Sequence, residues 1–125
     1  MTKRIEITAG NVRVKAELND SATAEAIWRA LPIAGEANTW GDEIYFETPV
    51  DQELEPGAKA DVEIGSIAYW PPGSALCLFF GRTPASRGDR PRAASPVNVV
   101  GSILGDATVL RRVADGMKVR VARAA

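Results

Sequence analysis

Apolar residues occupy every second position in residues 5–9 and again in residues 12–18. A period of two is typical of a strand with one buried face and one wet face. The two runs flank Gly10-Asn11, a dipeptide that suits a two-residue hairpin turn. The pattern therefore predicts a β-hairpin at the start of the chain.

The period changes to that of a helix in SATAEAIWRALP, residues 21–32. Asp20 or Ser21 can cap this helix and Pro32 ends it. A second short helix is predicted in GDATVLRRVADG, capped by Asp106 and stopped by Gly116. The apolar face of the first helix follows the spacing i, i+3, i+4, i+7 and consists of Ala24, Ile27, Trp28 and Leu31.

Short apolar runs separated by turn residues make up most of the remaining chain. The turns are predicted at Gly41-Asp42, Pro56-Gly57 and residues 71–74, with an irregular loop over residues 81–96. Strands are expected on both sides of Gly41, around Val62 and Ile64, and at residues 67–70, 75–80, 97–103 and 117–124. This order contains no βαβ repetition and favours a mostly antiparallel barrel whose open ends are covered by helices.

The stretch IAYWPPGSALCLFFG, residues 67–81, is apolar at every position of two runs. A strand needs this pattern only when both of its faces are covered. One face is expected to fill the barrel and the other to lie under a helix, such as the one that carries Trp28. Cys77 is expected to be a buried, inert thiol. In the second run, Ala75, Cys77 and Phe79 share one face, and Leu76, Leu78 and Phe80 share the other.

The amino-acid composition excludes several classes of catalytic and metal-binding site. The chain has 125 residues, which suits one domain over residues 1–125, and it contains no histidine and one cysteine. Histidine-dependent nucleophilic triads and the usual zinc sites are thereby excluded, and no catalytic residue, metal or cofactor is expected. The net charge of −1 gives no reason to expect nucleic acid as a partner. No run approaches the ~20 apolar residues of a membrane span, and the lone cysteine suits a cytoplasmic protein.

Four stretches together resemble the small prokaryotic cyclophilin-like β-barrel family: SATAEAIWRALP, WGDEIYFETPV, GSIAYWPPGSALCLFFGRTPAS and SPVNVVGSI. The resemblance implies a closed eight-stranded antiparallel barrel capped by two short helices. True cyclophilins are prolyl isomerases that use an arginine, a glutamine and a histidine in one groove. Here histidine is absent, the only glutamine is Gln52, and EIYFET, the counterpart of the arginine-bearing strand, holds no arginine. The catalytic set therefore does not carry over.

A groove on the side of such a barrel is the expected ligand site, because pockets are mostly apolar with a few polar groups. Trp40 is expected at its rim, and Glu43 and Glu47 are polar groups that can reach it. Core packing is the alternative for each aromatic ring. The residues expected to line the groove are Tyr45, Tyr69, Trp70, Phe79, Phe80, Arg82, Thr83, Arg92 and Asn98.

The arginines of the predicted loop, Arg82, Arg87, Arg90 and Arg92, form either an anion site or a solvated segment. Three functions remain open. The first is a non-catalytic binding module for a peptide segment or small ligand. The second is a weak or atypical peptidyl-prolyl cis–trans isomerase, and the third is a structural or interaction subunit.

Overall fold

A computed structural model describes residues 3–124, which form ten strands, one α-helix and two short 3₁₀-helices. The α-helix α1 spans Ala22–Ala30, and the 3₁₀-helices span Pro71–Gly73 and Ala107–Arg112. The strands are β1 Lys3–Ala9, β2 Val12–Leu18, β3 Ile33–Glu36, β4 Asn38–Thr39, β5 Glu43–Glu47, β6 Lys59–Asp61, β7 Ser66–Trp70, β8 Ala75–Phe79, β9 Arg92–Leu104 and β10 Lys118–Arg123.

The strands pair in the order β3-β10-β1-β2-β9-β7-β8-β5-β4, and β6 pairs with β9. Every one of these pairs is antiparallel. The prediction of a mostly β, antiparallel fold is therefore confirmed. Two details differ, because there are ten strands rather than eight and the hydrogen-bonded order ends at β3 and β4 instead of closing.

The open side of the sheet is nevertheless packed, since β3 lies against β5. A Cβ on Gly35 would stand 3.2 Å from the carbonyl oxygen of Glu47 and 3.3 Å from the Cβ of Phe46. The glycine lets the two backbones approach to a distance that a side chain would prevent. The sheet thus encloses an interior even though no ladder joins these two strands.

The interior is filled by the inward faces of the strands and by α1. Ile5, Ile7, Phe46 and Tyr69 are fully buried there, together with Ile27 from the helix. The Oγ of Ser21 accepts a hydrogen bond from the backbone N–H of Ala24 at 3.1 Å, so the predicted cap is confirmed. Trp28 is partly buried against this core. Within residues 3–124, no helix is long and apolar enough to span a membrane.

The second predicted helix is a 3₁₀-helix rather than an α-helix. Its predicted cap is present, since a carboxylate oxygen of Asp106 accepts a hydrogen bond from the N–H of Thr108 at 2.9 Å. At six residues it is a short connector, the setting in which 3₁₀ turns are frequent. Leu110 from this turn also packs in the interior.

The region between residues 59 and 97 departs furthest from the sequence prediction. The strand expected around Val62 and Ile64 lies instead at β6, Lys59–Asp61. The predicted loop ends early, because β9 begins at Arg92 and runs through Pro96. The pairing of β6 with the first half of β9 contains a register irregularity, which is where a strand tolerates proline.

This first half of β9 and the segment around Val62 cover the outer face of the β7–β8 hairpin. A second apolar cluster forms there, from Val62, Ala68, Cys77, Phe79, Ala93 and Val97. The hairpin is thus covered on both faces, as its continuous apolar pattern predicts. The outer cover is not the helix that carries Trp28, however, because α1 packs into the interior cluster.

A close contact between the paired strands β2 and β9 gives a test of this fold. A Cβ at Gly101 would overlap the carbonyl oxygen of Glu17 on the neighbouring strand. We expect Gly101→Ala to lower the free energy of unfolding by about 2 kcal/mol or more, because two paired backbones would have to move apart. The matched control is Gly57→Ala, where no described atom lies within 4 Å of the added carbon. Urea unfolding measures both variants, and equal stabilities would contradict the strand register.

Candidate functional site

A cavity of about 180 Å³ opens on the outer face of the barrel, beside the second apolar cluster. The outward side chains of β5 and the end of β7 form its aromatic and acidic walls, and β8 contributes Cys77. The first half of β9 supplies a wall of small residues, Ala93, Ala94 and Val97. The remaining lining residues are Trp40, Glu43, Tyr45 and Trp70.

Trp70 is held in place on two sides. Its indole Nε1 donates a hydrogen bond to the Oγ of Ser95 at 2.7 Å. A Cβ on Gly73 would stand 3.0 Å from the six-membered ring of the indole, so the following turn packs directly against Trp70. The Pro71-Pro72-Gly73 connection therefore positions this ring at the edge of the cavity.

Trp40 enters the cavity wall from the turn between β4 and β5. Its backbone N–H donates to the carbonyl of Glu43 at 2.9 Å, which closes the turn. Gly41 has a φ of +61° there, and a Cβ on it would stand 2.9 Å from the carbonyl oxygen of Arg82. A side chain would be strained in that backbone conformation and would collide with the neighbouring loop. Gly41 thus allows the turn to seat Trp40 at the rim.

Glu43 is the unusual polar group of the cavity. The residue is 5 % exposed, and its Oε1 is the buried side-chain oxygen or nitrogen within residues 3–124 that lacks a hydrogen-bond partner. Burial raises the pKa of Glu43 to about 7, and a hydrogen bond with the Cys77 thiol offsets part of that rise. Near neutral pH the carboxyl is therefore present both as a hydrogen-bond donor and as an anion.

Cys77 does not have the properties of a nucleophile. The side chain is 2 % exposed, which confirms that it is buried. Burial raises the pKa of its thiol well above the ordinary value, and the neighbouring Glu43 charge raises it further. A reactive thiolate needs the opposite environment. No group of three or more metal-binding side chains occurs in the described part of the chain.

The structure brings two of the nine residues predicted for the groove into this cavity, Tyr45 and Trp70. Trp40 and Glu43, named from the sequence as a rim and a polar group, join them there. Both tryptophans and Tyr45 are only partly buried, so ring surface remains available to a ligand. The other predicted residues lie elsewhere.

Tyr69 and Phe80 belong to the barrel interior rather than to the cavity. The hydroxyl of Tyr69 donates to the carbonyl of Val50 at 2.6 Å and accepts from the N–H of Gln52 at 3.2 Å. Phe79 faces outward but is fully buried in the second cluster. Alternation along each strand is the reason, because adjacent aromatic residues must point to opposite faces.

Asn98 has a structural role that the sequence did not reveal. Its side-chain amide donates to Thr23 at 3.0 Å and to the carbonyl of Glu53 at 2.9 Å, and its carbonyl accepts from the N–H of Glu55 at 2.8 Å. The side chain is buried and satisfies several polar groups at once. It therefore holds the acidic segment before β6 against α1.

The three remaining predicted residues lie in or beside the loop between β8 and β9, outside the cavity lining. The hydroxyl of Thr83 donates to the carbonyl of Arg92, and Arg82 is exposed. The guanidinium of Arg92 pairs with Asp61 at 3.0 Å, and that of Arg90 pairs with Glu63 at 2.8 Å. Two of the four loop arginines are thus neutralised by carboxylates, which weakens the hypothesis of an anion site.

The raised pKa of Glu43 predicts the direction in which the stability of the protein changes with pH. The folded pKa of about 7 lies above the ordinary value of 4.5, so the folded state retains a proton that the unfolded state loses. Stability from this group therefore falls as pH rises from 4.5 to 7. Relative to Glu43→Gln, the wild type should lose roughly 2–3 kcal/mol of unfolding free energy between about pH 5 and pH 8.

Urea titrations of both proteins at the two pH values measure this difference. Contributions of all other ionisable groups cancel in the comparison. A difference that stays constant with pH would mean that Glu43 titrates like an exposed carboxyl. Glu47→Gln, on the same strand but exposed, is the matched control and should show no such dependence.

Comparison with known proteins agrees with the architecture described above. A family profile described as cyclophilin-like matches residues 3–122. The solution structure of a hypothetical protein from Archaeoglobus fulgidus superimposes with a TM-score of 0.82 and 47% sequence identity, covering 98% of this chain and 95% of the other. No curated protein matches this chain. The match over nearly the whole chain places this protein in the cyclophilin-like family.

Proposed function

We propose that the protein is a binding module that takes one apolar group of a small ligand or a peptide segment into the cavity beside Trp70. The observation that carries this proposal is the combination of partly buried aromatic rings with a buried carboxyl oxygen that has no partner. An unsatisfied buried polar atom costs about 1–3 kcal/mol. A ligand group that brings a hydrogen-bond donor or a positive charge to the Glu43 carboxyl offsets that cost, whereas a purely structural role leaves it unexplained.

The size of the cavity supports a small occupant. Its volume of about 180 Å³ lies below the roughly 300–1,000 Å³ of pockets that enclose drug-sized ligands. A single side chain or a small molecule is therefore the best match. The walls of Ala93 and Ala94 keep this space open, since larger residues there would fill it.

Filling the cavity with a protein side chain tests the proposal. Ala94 lines the cavity and is exposed, so Ala94→Phe should block the site without overpacking the core. We expect wild-type protein to bind members of a panel of small apolar amines, amides and proline-containing peptides, read out by tryptophan fluorescence. The variant should lose that binding. Ala114→Phe, at an exposed position outside the lining, is the matched control and should keep it.

Two results would count against a binding module. One is that no member of the panel perturbs the tryptophan emission of the wild type. The other is that Ala94→Phe binds as well as Ala114→Phe. The first result would favour the structural-subunit hypothesis, and the second would show that the ligand binds outside this cavity. Unfolding curves of both variants verify that any loss of binding is not a loss of structure.

Isomerase activity is expected to be far below that of a true cyclophilin. An isomerase has to bind the twisted amide more tightly than the planar one, which requires a fixed polar donor beside the proline. No arginine lines the cavity as described, and Arg92 is paired with Asp61. Magnetisation-exchange measurements on an X-Pro peptide give the cis–trans rate directly. Turnover of cyclophilin-like efficiency that Arg82→Ala abolishes would contradict this expectation.

A further inference from the structure

Three aromatic side chains and one carboxyl group face the same small space. Trp40 comes from the β4–β5 turn, Tyr45 from β5 and Trp70 from the end of β7. Each ring is partly buried and contributes to the lining. Aromatic faces attract cations through their quadrupole, with tryptophan the strongest. Glu43 adds a full negative charge when it is ionised.

The rest of the lining indicates which kind of cation fits. The other lining residues are Cys77 and the small apolar residues of β9. A primary ammonium has three N–H donors, and each needs an acceptor when it is buried. The oxygen acceptors among the lining side chains are the Glu43 carboxylate and the Tyr45 hydroxyl, so the three donors of a primary ammonium find few partners there. An alkylated ammonium needs fewer acceptors, because alkyl groups replace the hydrogens of its N–H donors.

We propose that the group recognised by this cavity is an alkylated ammonium cation, held by the rings of Trp40, Tyr45 and Trp70 and paired with Glu43. This inference rests on the proposed function and names its ligand class. The volume of about 180 Å³ equals that of about six water molecules in the liquid. The head of a trimethylated amine is of that size. The source is either a free quaternary amine or a methylated lysine side chain of a peptide.

None of the lining residues is a basic side chain that would neutralise the Glu43 carboxylate. Arg92 on β9 is paired with Asp61, and no lysine or arginine lines the cavity. Asp42, the preceding residue, accepts a hydrogen bond from Arg111 at 2.9 Å. The other titratable groups of the lining are the thiol of Cys77 and the hydroxyl of Tyr45. An entering cation therefore meets one carboxylate and no competing positive side chain.

Binding of a cation competes with binding of a proton at Glu43. The pKa of Glu43 in the empty site is about 7, so roughly a tenth of the carboxyl is ionised at pH 6 and nine-tenths at pH 8. If the cation binds the ionised form, its apparent affinity rises with pH. The expected gain is about tenfold between pH 6 and pH 8. A neutral ligand of the same shape gains nothing over this range.

The decisive probes are choline and its neutral carbon isostere, 3,3-dimethylbutan-1-ol. Isothermal titration calorimetry and tryptophan fluorescence give both affinities at pH 8. We expect choline to bind about tenfold more tightly than the neutral isostere. Glu43→Gln should remove most of that preference, and Trp40→Leu should weaken choline by a larger factor than it weakens the isostere. Trp28→Phe, at a tryptophan outside the cavity, should bind both as the wild type does.

Two peptide arms identify the source of the cation. One peptide carries trimethyllysine, and the other carries unmodified lysine at the same position. Tighter binding of the methylated peptide than of choline indicates a peptide ligand. Tighter binding of choline indicates a free quaternary amine. Equal affinity for the two peptides would contradict the requirement for alkylation.

The outcomes separate this inference from the proposed function. Equal binding of choline and the neutral isostere by the wild type would overturn the cation inference and leave an apolar binding module. Preference for choline that persists in both Glu43→Gln and Trp40→Leu would place the site elsewhere and overturn it as well. Failure of every probe, together with failure of the wider apolar panel, would overturn both proposals.

Discussion

The β7–β8 hairpin is apolar on both faces, so the chain has to supply two separate covers for it. Ile67, Leu76 and Leu78 point into the barrel, where α1 and the opposite strands bury them. Ala68, Cys77 and Phe79 point outward, and the first half of β9 with the segment around Val62 covers them. The barrel interior covers only the inward face of the hairpin. The need to cover its outward face accounts for β6 and for the length of β9.

The outer cover also creates the candidate site. It lies over the hairpin but leaves a gap at the end of β7, where Trp70 is held by Ser95 and by the turn at Gly73. The small residues Ala93 and Ala94 belong to the lining of that gap. Residues of this cover line the cavity together with Glu43, whose burial raises the pKa of its carboxyl. Site and fold therefore depend on the same packing.

The sequence predicts the elements whose signals are local. The Gly10-Asn11 hairpin, the Ser21 cap and the Asp106 cap all depend on residues close together in the chain. The start of β9 at Arg92 depends on pairing with Asp61, about thirty positions away, and no local pattern reveals it. The burial of Glu43 is not predictable from a local pattern either, because a carboxylate on the outward face of a strand is expected to be exposed unless a distant segment covers it. The sequence wrongly predicts Tyr69 in the groove, because an apolar pattern does not say which face of a strand is the inner one.

The two covers are attached to the barrel in very different ways. The inner core is shared by strands from the whole chain, so a substitution there affects many elements together. The outer cover is bound through β6 and one half of a single strand, and Ala94 on it is exposed. An exposed residue of this wall such as Ala94 can therefore change with little effect on the barrel, whereas Ala93 and Val97 are buried in the second cluster. In evolutionary terms, the ligand preference of such a protein is free to diverge while its architecture is conserved.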